Sequence, residues 1–414
     1  MVRPVPSPSY VHCTFATRLP ARPRRGLTTA ATARRHPDFP DLPDISEPPM
    51  SDAPFSALDH AMMARALRLA ERGAYTTKPN PMVGCVLAKD GEIVGEGFHQ
   101  RTGGPHAEVF ALRDAGERAR GATAYVTLEP CSHTGRTAPC ADSLIEAGVA
   151  RVVGAMRDPF PQVDGAGFAR LREAGIEVGV GLMEAQAREL NRGFLSRVER
   201  GRPWVRVKLA MSLDGRTALA SGESKWISGP GSRLDVQRWR ARSSVLMTGA
   251  GTVLADDPQL TVRLGDDTDF VPPLRVVLDA GLATIHRGRV REGDAPTLYI
   301  HAPDARLPRN CDAQMAAAPV RNGRFDLDAV LRLLGERKIN EVQLEAGATL
   351  AGSFLAAGLV DELLLYVAPV LLGAHARPLF DGFDIQQMSE RLVMRVVDSR
   401  HTGDDLRLLL RPQQ

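Results

Sequence analysis

Residues 105–140 read PHAEVFALRDAGERARGATAYVTLEPCSHTGRTAPC, and this stretch contains the candidate metal ligands of the chain. One imidazole, from His106, and two thiolates, from Cys131 and Cys140, make three ligands for a tetrahedral Zn²⁺. With three protein ligands the fourth position stays open for water, which is typical of a catalytic zinc site. Glu108 lies two residues after His106, near enough to exchange protons with that water without binding the metal. The stretch therefore predicts a catalytic zinc centre.

The distance between the two cysteines is unusual for this pattern. An H-x-E…P-C…C layout is typical of zinc deaminases, in which an activated water attacks a ring carbon and the glutamate shuttles protons. In the common signature two residues separate the cysteines, whereas residues 132–139 separate them here. Two alternatives stay open: a closed site with His133 as fourth ligand, or two unrelated buried cysteines. A closed site would leave Glu108 without a role.

Length and cysteine content limit the class of protein. A chain of 414 residues predicts two domains. No apolar run approaches the length that crosses a bilayer, so we predict no membrane association. The five cysteines are few and odd in number, which predicts a reducing compartment rather than a disulfide framework. We therefore expect a cytoplasmic protein.

The net charge is concentrated in the N-terminal tail, which we set at residues 1–56. Residues 1–49 hold seven arginines and four acidic residues, so the rest of the chain carries 45 basic and 45 acidic residues. A neutral body predicts no nucleic-acid surface, although a local basic cluster for one phosphate fits it. The tail is Pro- and Arg-rich without an apolar period, which predicts disorder.

Two other interpretations of the tail stay open. Residues 1–37 are rich in Arg and hydroxyl side chains and lack acids, as organelle transit peptides do. The tail is also what an upstream, mis-called start codon would produce. We favour the mis-called start over organelle targeting, because Met50-Ser51-Asp52 begins a start-like sequence just before the first helix.

Residues 57–202 alternate between helical and strand patterns. Apolar spacing predicts a helix from Asp59 to Ala70, and two strand-like runs around Asp90-Gly91 predict a hairpin. Further helices are predicted over 107–114, 141–147, 164–174 and 183–200, and strands over 122–128, 151–156 and 176–180. The pattern predicts an α/β/α sandwich.

Residues 203–414 form the second predicted domain. A strand over 204–210 is followed by a helix over 232–242, for which Ser232 is the expected N-cap. A strand–turn–helix–strand unit over 342–369 has glycines before its helix, which leave backbone N–H groups free to hold phosphate. Gly249-Ala250-Gly251 lacks the third glycine of a G-x-G-x-x-G turn, so a standard Rossmann site is unsupported.

Taken together, seven motifs resemble the bifunctional riboflavin-biosynthesis deaminase/reductase family over about residues 57–412. They are Asn80–Gly84, His106–Glu108, Glu129–His133, Lys208 with Ser212–Gly215, Gly222–Ile227, Gly251–Val253 with Asp256–Pro258, and Glu345–Thr349. The resemblance implies a cytidine-deaminase-like α/β/α sandwich followed by a dihydrofolate-reductase-like α/β domain. It also implies one Zn²⁺, NADPH and a pyrimidine ribosyl phosphate substrate, and leaves a homo-oligomer open.

The same resemblance implies roles for individual residues. Zinc ligands would be His106, Cys131 and Cys140, with Glu108 as proton shuttle. The deaminase pocket would contain Asn80, His99, His133 and Arg136. Reductase substrate contacts would be Ser224, Arg240, Leu260, Arg263 and Glu345. The NADPH site would include Ala210, Trp226, Thr252, Asp256, Gly347, Ala348 and Thr349. Lys208 would protonate the ribosyl ring oxygen; a strand-end lysine without a role is the alternative.

One departure from the family pattern is visible. Phe160 stands where relatives usually carry Asn, in Asp158-Pro159-Phe160-Pro161. Loss of that amide predicts weakened or rearranged substrate binding with the zinc chemistry intact.

Three other functions stay open at this stage. A nucleobase or tRNA deaminase shares the zinc ligands but predicts a basic surface. A zinc-stabilised binding module predicts a closed four-ligand site. One active domain beside a degenerate one is also compatible with the sequence.

Overall fold

The structure, a computed structural model, describes residues 55–132, 138–161, 163–309 and 311–413. Predictions for residues 1–54, and for His133 and Arg136, lie outside the described residues. Two large sheets organise the described part of the chain, one in the N-terminal half and one in the C-terminal half.

The first sheet has five strands. They are β1 (Gly84–Lys89), β2 (Glu92–Phe98), β3 (Thr123–Val126), β4 (Arg151–Gly154) and β5 (Glu177–Val180). Their order is β2-β1-β3-β4-β5, with β1 antiparallel to both neighbours and β3, β4 and β5 parallel. Asp90 and Gly91 take φ of 52° and 85° in the β1–β2 turn, which confirms the predicted Asp-Gly hairpin.

Helices pack on both faces of this sheet. They are α1 (Ala57–Glu71), α2 (Ala107–Ala115), α3 (Cys140–Glu146), α4 (Ala166–Glu173), α5 (Glu184–Leu190) and α6 (Arg192–Arg200). Val86 of β1 packs with α1, α5 and α6, while its neighbours Cys85 and Leu87 pack with α2, α3 and α4. Because strand side chains alternate between faces, one apolar strand serves both clusters. The predicted α/β/α sandwich is confirmed.

The single helix predicted over 183–200 is wrong. The chain breaks it at Asn191 into α5 and α6. The Asn191 side chain accepts a hydrogen bond from the N–H of Met82 at 2.8 Å and donates to the carbonyl of Met82 at 2.9 Å. This long-range pairing, 109 residues apart, satisfies buried backbone groups and cannot be inferred from local periodicity.

The second sheet has nine strands. They are β6 (Trp204–Ser212), β8 (Val245–Gly249), β9 (Leu274–Leu278), β10 (Thr297–His301), β11 (Gln314–Ala317), β14 (Glu341–Leu344), β15 (Glu362–Ala368), β17 (Met394–Thr402) and β18 (Asp405–Pro412). The order is β11-β10-β9-β8-β14-β6-β15-β18-β17; β18 is antiparallel to both of its neighbours, β15 and β17, and all other neighbouring strands are parallel. Two short pairs join β7 (Arg216–Ala218) to β16 (Arg377–Pro378), and β12 (Val320–Arg321) to β13 (Arg324–Phe325).

The helices of the second half are α7 (Pro230–Arg242), α8 (Ala250–Asp256), α9 (Leu327–Glu336) and α10 (Ala348–Ala356). Gly229, not Ser232, is the N-cap of α7, so the predicted cap is wrong. Ser232 is buried inside the helix and donates its hydroxyl to Asp405, which β18 brings beside it. Among the described helices, none combines the length and the apolar character that a bilayer crossing requires.

Candidate functional site

Three candidate zinc ligands meet at the N-termini of two helices. His106 is the N-cap of α2, Cys140 is the first residue of α3, and Cys131 follows β3. His106 Nδ1 lies 3.2 Å from Cys140 Sγ and 3.6 Å from Cys131 Sγ, and the three donor atoms lie within 4.8 Å of one another. Tetrahedral zinc bonds imply an N···S distance of about 3.5 Å. The donor set therefore fits a zinc ion.

The two thiols of this donor set differ in acidity. A hydrogen bond from the Cys140 thiol, together with the His106 ring, lowers the pKa of Cys131 to about 4. The same hydrogen bond and burial raise the pKa of Cys140. The backbone N–H of Cys140 also donates to Cys131 Sγ at 3.3 Å. One thiolate is therefore already favoured within the donor set, and zinc binding would deprotonate the second thiol as well.

Glu108 lies on the first turn of α2 and is only 3% exposed. Its Oε2 atom is buried and has no hydrogen-bond partner within the described residues. Burial raises the pKa of the carboxyl group. Because an unpaired buried oxygen is costly, its presence beside the donor set indicates a group that a bound ligand or water completes.

Two of the predicted deaminase pocket residues contact each other. Asn80 Nδ2 lies 3.1 Å from His99 Nε2, and His99 Nδ1 lies 2.9 Å from the carbonyl oxygen of Pro105. Burial lowers the pKa of His99, so the neutral ring is favoured. Donation from Nδ1 to Pro105 then leaves Nε2 to accept from the Asn80 amide. The His99 and His106 rings lie 5.6 Å apart at 88°, which brings this pair beside the zinc donors.

Glu129 is a structural residue of the site that sequence reasoning left without a role. Its buried carboxylate accepts hydrogen bonds from the N–H groups of Asp158, Gly165 and Gly167. These contacts fix the loop that carries Phe160, whose side chain packs against the apolar cluster of α1, α5 and α6. In the sequence, the one indication of this role is that Glu129 directly precedes Pro130 and the predicted zinc ligand Cys131.

The predicted reductase residues line one cleft of about 1800 Å³. They are Lys208, Ala210, Ser224, Trp226, Arg240, Thr252, Asp256, Leu260, Arg263, Glu345, Gly347, Ala348 and Thr349. The cleft lies where the parallel strands β8 and β14 end and the chain enters α8 and α10. Ligands of open α/β sheets bind at this edge, so the location fits a cofactor and a substrate.

A buried ion pair holds the middle of the cleft. The Arg240 guanidinium donates to both Glu345 oxygens, at 2.7 and 2.8 Å, and also to the carbonyl of Thr261 at 2.9 Å. Burial opposes ionisation of Glu345, but Arg240 outweighs it and lowers the pKa of Glu345 to about 2. Burial lowers the pKa of Lys208 below its ordinary value, so its ammonium releases a proton more readily than that of an exposed lysine.

Some cleft residues escaped the sequence analysis. Arg324 and Phe325 of β13, Ala280 after β9, and Arg377 of β16 all line the cleft. The strands β13 and β16 have two residues each, which is too short for a recognisable alternating pattern. We find no sequence signal that would have placed them here.

A zinc donor set beside a buried glutamate is typical of a zinc deaminase, and the same chain has a strand-end cleft that suits a cofactor and a substrate. The cytidine and deoxycytidylate deaminase zinc-binding region matches residues 56–156, and the RibD C-terminal domain matches residues 203–408. The chain belongs to the family of the riboflavin biosynthesis protein RibD. It accordingly has deaminase and reductase activities, with zinc and NADPH as cofactors.

Relatives match nearly their whole length. The riboflavin biosynthesis protein RibD of Escherichia coli K12 is 50% identical over 364 residues, covering 85% of this chain and 99% of the relative. That of Haemophilus influenzae is 48% identical over 370 residues, covering 87% and 99%.

Solved structures give the same result. Acinetobacter baumannii RibD has a TM-score of 0.79 and 46% identity, covering 86% of this chain and 99% of that one. A deaminase/reductase from Thermotoga maritima has a TM-score of 0.76 and 35% identity with the same coverage. These matches confirm the predicted α/β fold and the predicted pair of activities.

Proposed function

We propose that this chain deaminates 2,5-diamino-6-(5-phosphoribosylamino)pyrimidin-4(3H)-one and then reduces its ribosyl group, giving 5-amino-6-(5-phosphoribitylamino)uracil. The observation that carries the proposal is a His/Cys/Cys donor set beside Glu108 Oε2, which has no hydrogen-bond partner in the described part of the chain, together with a cleft of about 1800 Å³ in the same chain. The similar protein from Thermotoga maritima is a diaminohydroxyphosphoribosylaminopyrimidine deaminase/5-amino-6-(5-phosphoribosylamino)uracil reductase, which supports this substrate class.

In the deaminase site, His106, Cys131 and Cys140 would hold zinc. Bound zinc supplies Lewis acidity, which lowers the pKa of water from 15.7 to about 7. Glu108 takes a proton at Oε2 from the attacking water and delivers it to the pyrimidine ring nitrogen as the new C–O bond forms. It then takes the proton of the new hydroxyl and passes it to the amine, so that the C–N bond breaks, ammonia leaves and a carbonyl remains.

The substrate ring would lie against Asn80 and His99, whose mutual hydrogen bond fixes the Asn80 amide. His133 and Arg136, from the loop between the two cysteines, would contact the substrate, and Arg136 supplies a charge for its phosphate.

In the reductase cleft, NADPH supplies the hydride. Lys208 donates its proton to the ribosyl ring oxygen as the C1′–O bond breaks, which opens the sugar to a ribityl chain. The Arg240–Glu345 pair orients the substrate together with Ser224, Leu260 and Arg263. Cofactor contacts would come from Ala210, Trp226, Thr252, Asp256, Gly347, Ala348 and Thr349. The N–H groups that begin α10 suit a cofactor phosphate.

The partner of this protein is a small-molecule substrate. We further propose that it binds neither nucleic acid nor membrane, since the body outside residues 1–49 is neutral in charge. Its two-domain relatives named above are bacterial, and thiolate zinc ligands persist in a reducing compartment, which supports the cytoplasm. A homo-oligomer remains a prediction from the family resemblance, for which sedimentation of the purified chain is the test.

The deciding experiment follows NADPH consumption by purified protein given the diaminopyrimidine ribosyl phosphate, before and after zinc removal. Consumption that requires zinc is the expected result, because deamination comes first. The already deaminated compound is the control, and it should be reduced with or without zinc. Zinc-independent consumption of the diamino compound would reverse the order of steps, and no consumption of either compound would refute the reductase assignment.

A further inference from the structure

Lys78 joins the two halves of the molecule beside both active sites. It lies two residues before Asn80, which contacts His99 in the deaminase pocket. Its side chain reaches across to the reductase half and donates to the carbonyl oxygens of Ala241, Ser243 and Val271, at 2.6, 2.7 and 3.1 Å. The Lys78 amino group therefore meets three carbonyl acceptors, while burial lowers its pKa to about 7.

The first two acceptors belong to the C-terminal end of α7. A cation at this end is stabilised by the unpaired carbonyls and by the helix dipole. Ala241 directly follows Arg240, the arginine that pairs with Glu345 in the cleft. A shift of this helix end would therefore move Arg240.

The third acceptor belongs to the segment 260–271, which connects the cleft to the other domain. Leu260 and Arg263, at its start, line the cleft, and Thr261 accepts a hydrogen bond from Arg240. At its end, the N–H of Val271 donates to the carbonyl of Tyr75 at 2.9 Å. Lys78 thus binds both cleft-forming segments at once.

The turn that carries Lys78 is itself held in place from the reductase half. Asn340 donates its side-chain amide to the carbonyl of Pro79 at 2.8 Å. Arg197 of α6 donates to the Asn340 side-chain oxygen at 2.7 Å. Asn80 and Arg240 are therefore linked by a short path, which runs along the backbone from Asn80 to Lys78, through the hydrogen bond from Lys78 to the carbonyl of Ala241, and along the backbone to Arg240.

We propose that Lys78 is a positioning residue for both reactions: it fixes the turn of Asn80 on one side and the Arg240 and Leu260–Arg263 segments on the other. Substrate binding at both sites then depends on one side chain that touches neither substrate. The inference rests on the proposed substrate contacts of Asn80 and Arg240.

The test is Lys78→Met, which keeps the length of the side chain and removes its donors. The two half-reactions are assayed separately in the full-length enzyme, the first with the diamino compound and the second with the deaminated compound and NADPH. We expect KM to rise about tenfold in both, because small displacements of substrate-binding groups weaken binding strongly. The kcat values should stay within about twofold, since Glu108 and Lys208 are untouched.

Two matched control variants test whether a rise in KM is specific to Lys78 or follows the loss of any similar contact. Lys89→Met removes a lysine that donates to one carbonyl, Arg120, within the first domain. Glu189→Gln weakens a different contact between the halves, the pair with Arg411. Both should leave the two KM values unchanged. An unchanged KM in either half-reaction of Lys78→Met, or an equal rise in Glu189→Gln, would overturn the proposal.

Folding and exchange measurements complete the test. Amide hydrogen exchange in Lys78→Met should quicken at residues 241–245 and 267–271, and zinc content should be unchanged. If Lys78→Met and the milder Lys78→Gln both fail to fold while the two controls fold, Lys78 is a fold-stabilising residue and the proposal is wrong. A parent enzyme that catalyses neither half-reaction would instead refute the proposed function, and the exchange result would still decide the linkage.

Discussion

The zinc donor set and the reductase cleft are built in opposite ways. The zinc donors come from 35 consecutive positions, 106–140, at the starts of two neighbouring helices. The cleft draws its residues from positions 208–382 and from the ends of several strands. The zinc site has few members, three ligands and one proton carrier, so its activity depends on each of them. In the reductase cleft, binding is distributed over many contacts.

Glu108→Gln should have the largest effect of all, and it should act on the zinc site alone. The amide keeps the shape of the side chain but cannot carry a proton, so deamination should fall about 10³- to 10⁴-fold. Zinc content, measured by metal analysis, should equal that of the parent. Reduction of the deaminated compound serves as the internal control and should not change. Near-parent deamination would remove Glu108 from the proton-transfer role.

Within the cleft, Lys208→Gln should have the largest effect. Reduction should slow about a hundredfold if this ammonium protonates the ribosyl oxygen. In the parent, kcat/KM should fall as pH rises through the pKa of Lys208, because only the protonated form donates. Burial lowers that pKa, so the fall should come below the ordinary lysine value of about 10.4.

The variant supplies the control for that pH profile. In Lys208→Gln, kcat/KM should not fall at alkaline pH. A fall that persists in this variant would mean that another group titrates there. Glu345 should add no acidic limb above pH 3, since its pKa is about 2.

Arg240→Met should have an intermediate effect on the cleft. It leaves the buried Glu345 carboxylate without its arginine, which costs about 3–5 kcal/mol of unfolding free energy. The KM of the reductase should rise about 10- to 100-fold through lost charged hydrogen bonds, with zinc and deamination unchanged. Urea unfolding and initial rates measure the two effects.

Arg332→Met is the matched control for this arginine. Arg332 pairs with Asp328 on the exposed face of α9, and little change in stability is expected from its loss. If both variants lowered the free energy of unfolding equally, the buried Arg240–Glu345 pair would stabilise the protein no more than an exposed pair does.

The smallest expected effect is that of Phe160→Asn, which introduces the residue that the family resemblance predicts at this position. One regained hydrogen bond should lower the deaminase KM by about twofold to tenfold. Part of the apolar packing against α1, α5 and α6 is lost, so stability should fall slightly. An unchanged KM would mean that this chain has replaced the amide contact by another group.

Sequence and structure agree best where the signal is local. The Asp90-Gly91 turn, the helix that starts after His106, and the helix that starts at Cys140 follow from short patterns of residue type. The failures share one cause. Asn191 splits a predicted helix because its side chain binds Met82, and Ser232 leaves its expected capping role because it binds Asp405. Each partner is more than 100 residues away, so no local window contains the reason.

The chemistry of this protein could be predicted from its sequence alone, because a histidine, two cysteines and a nearby glutamate stand in zinc-deaminase order and a second α/β domain follows. Tertiary structure alone decided which distant groups meet. It pairs Arg240 with Glu345 across 105 positions, leaves Glu108 Oε2 without a partner within the described residues, and brings Lys78 to the end of α7. Residue type sets what a side chain can do, but burial and long-range contact set its charge, its partners and its access to substrate.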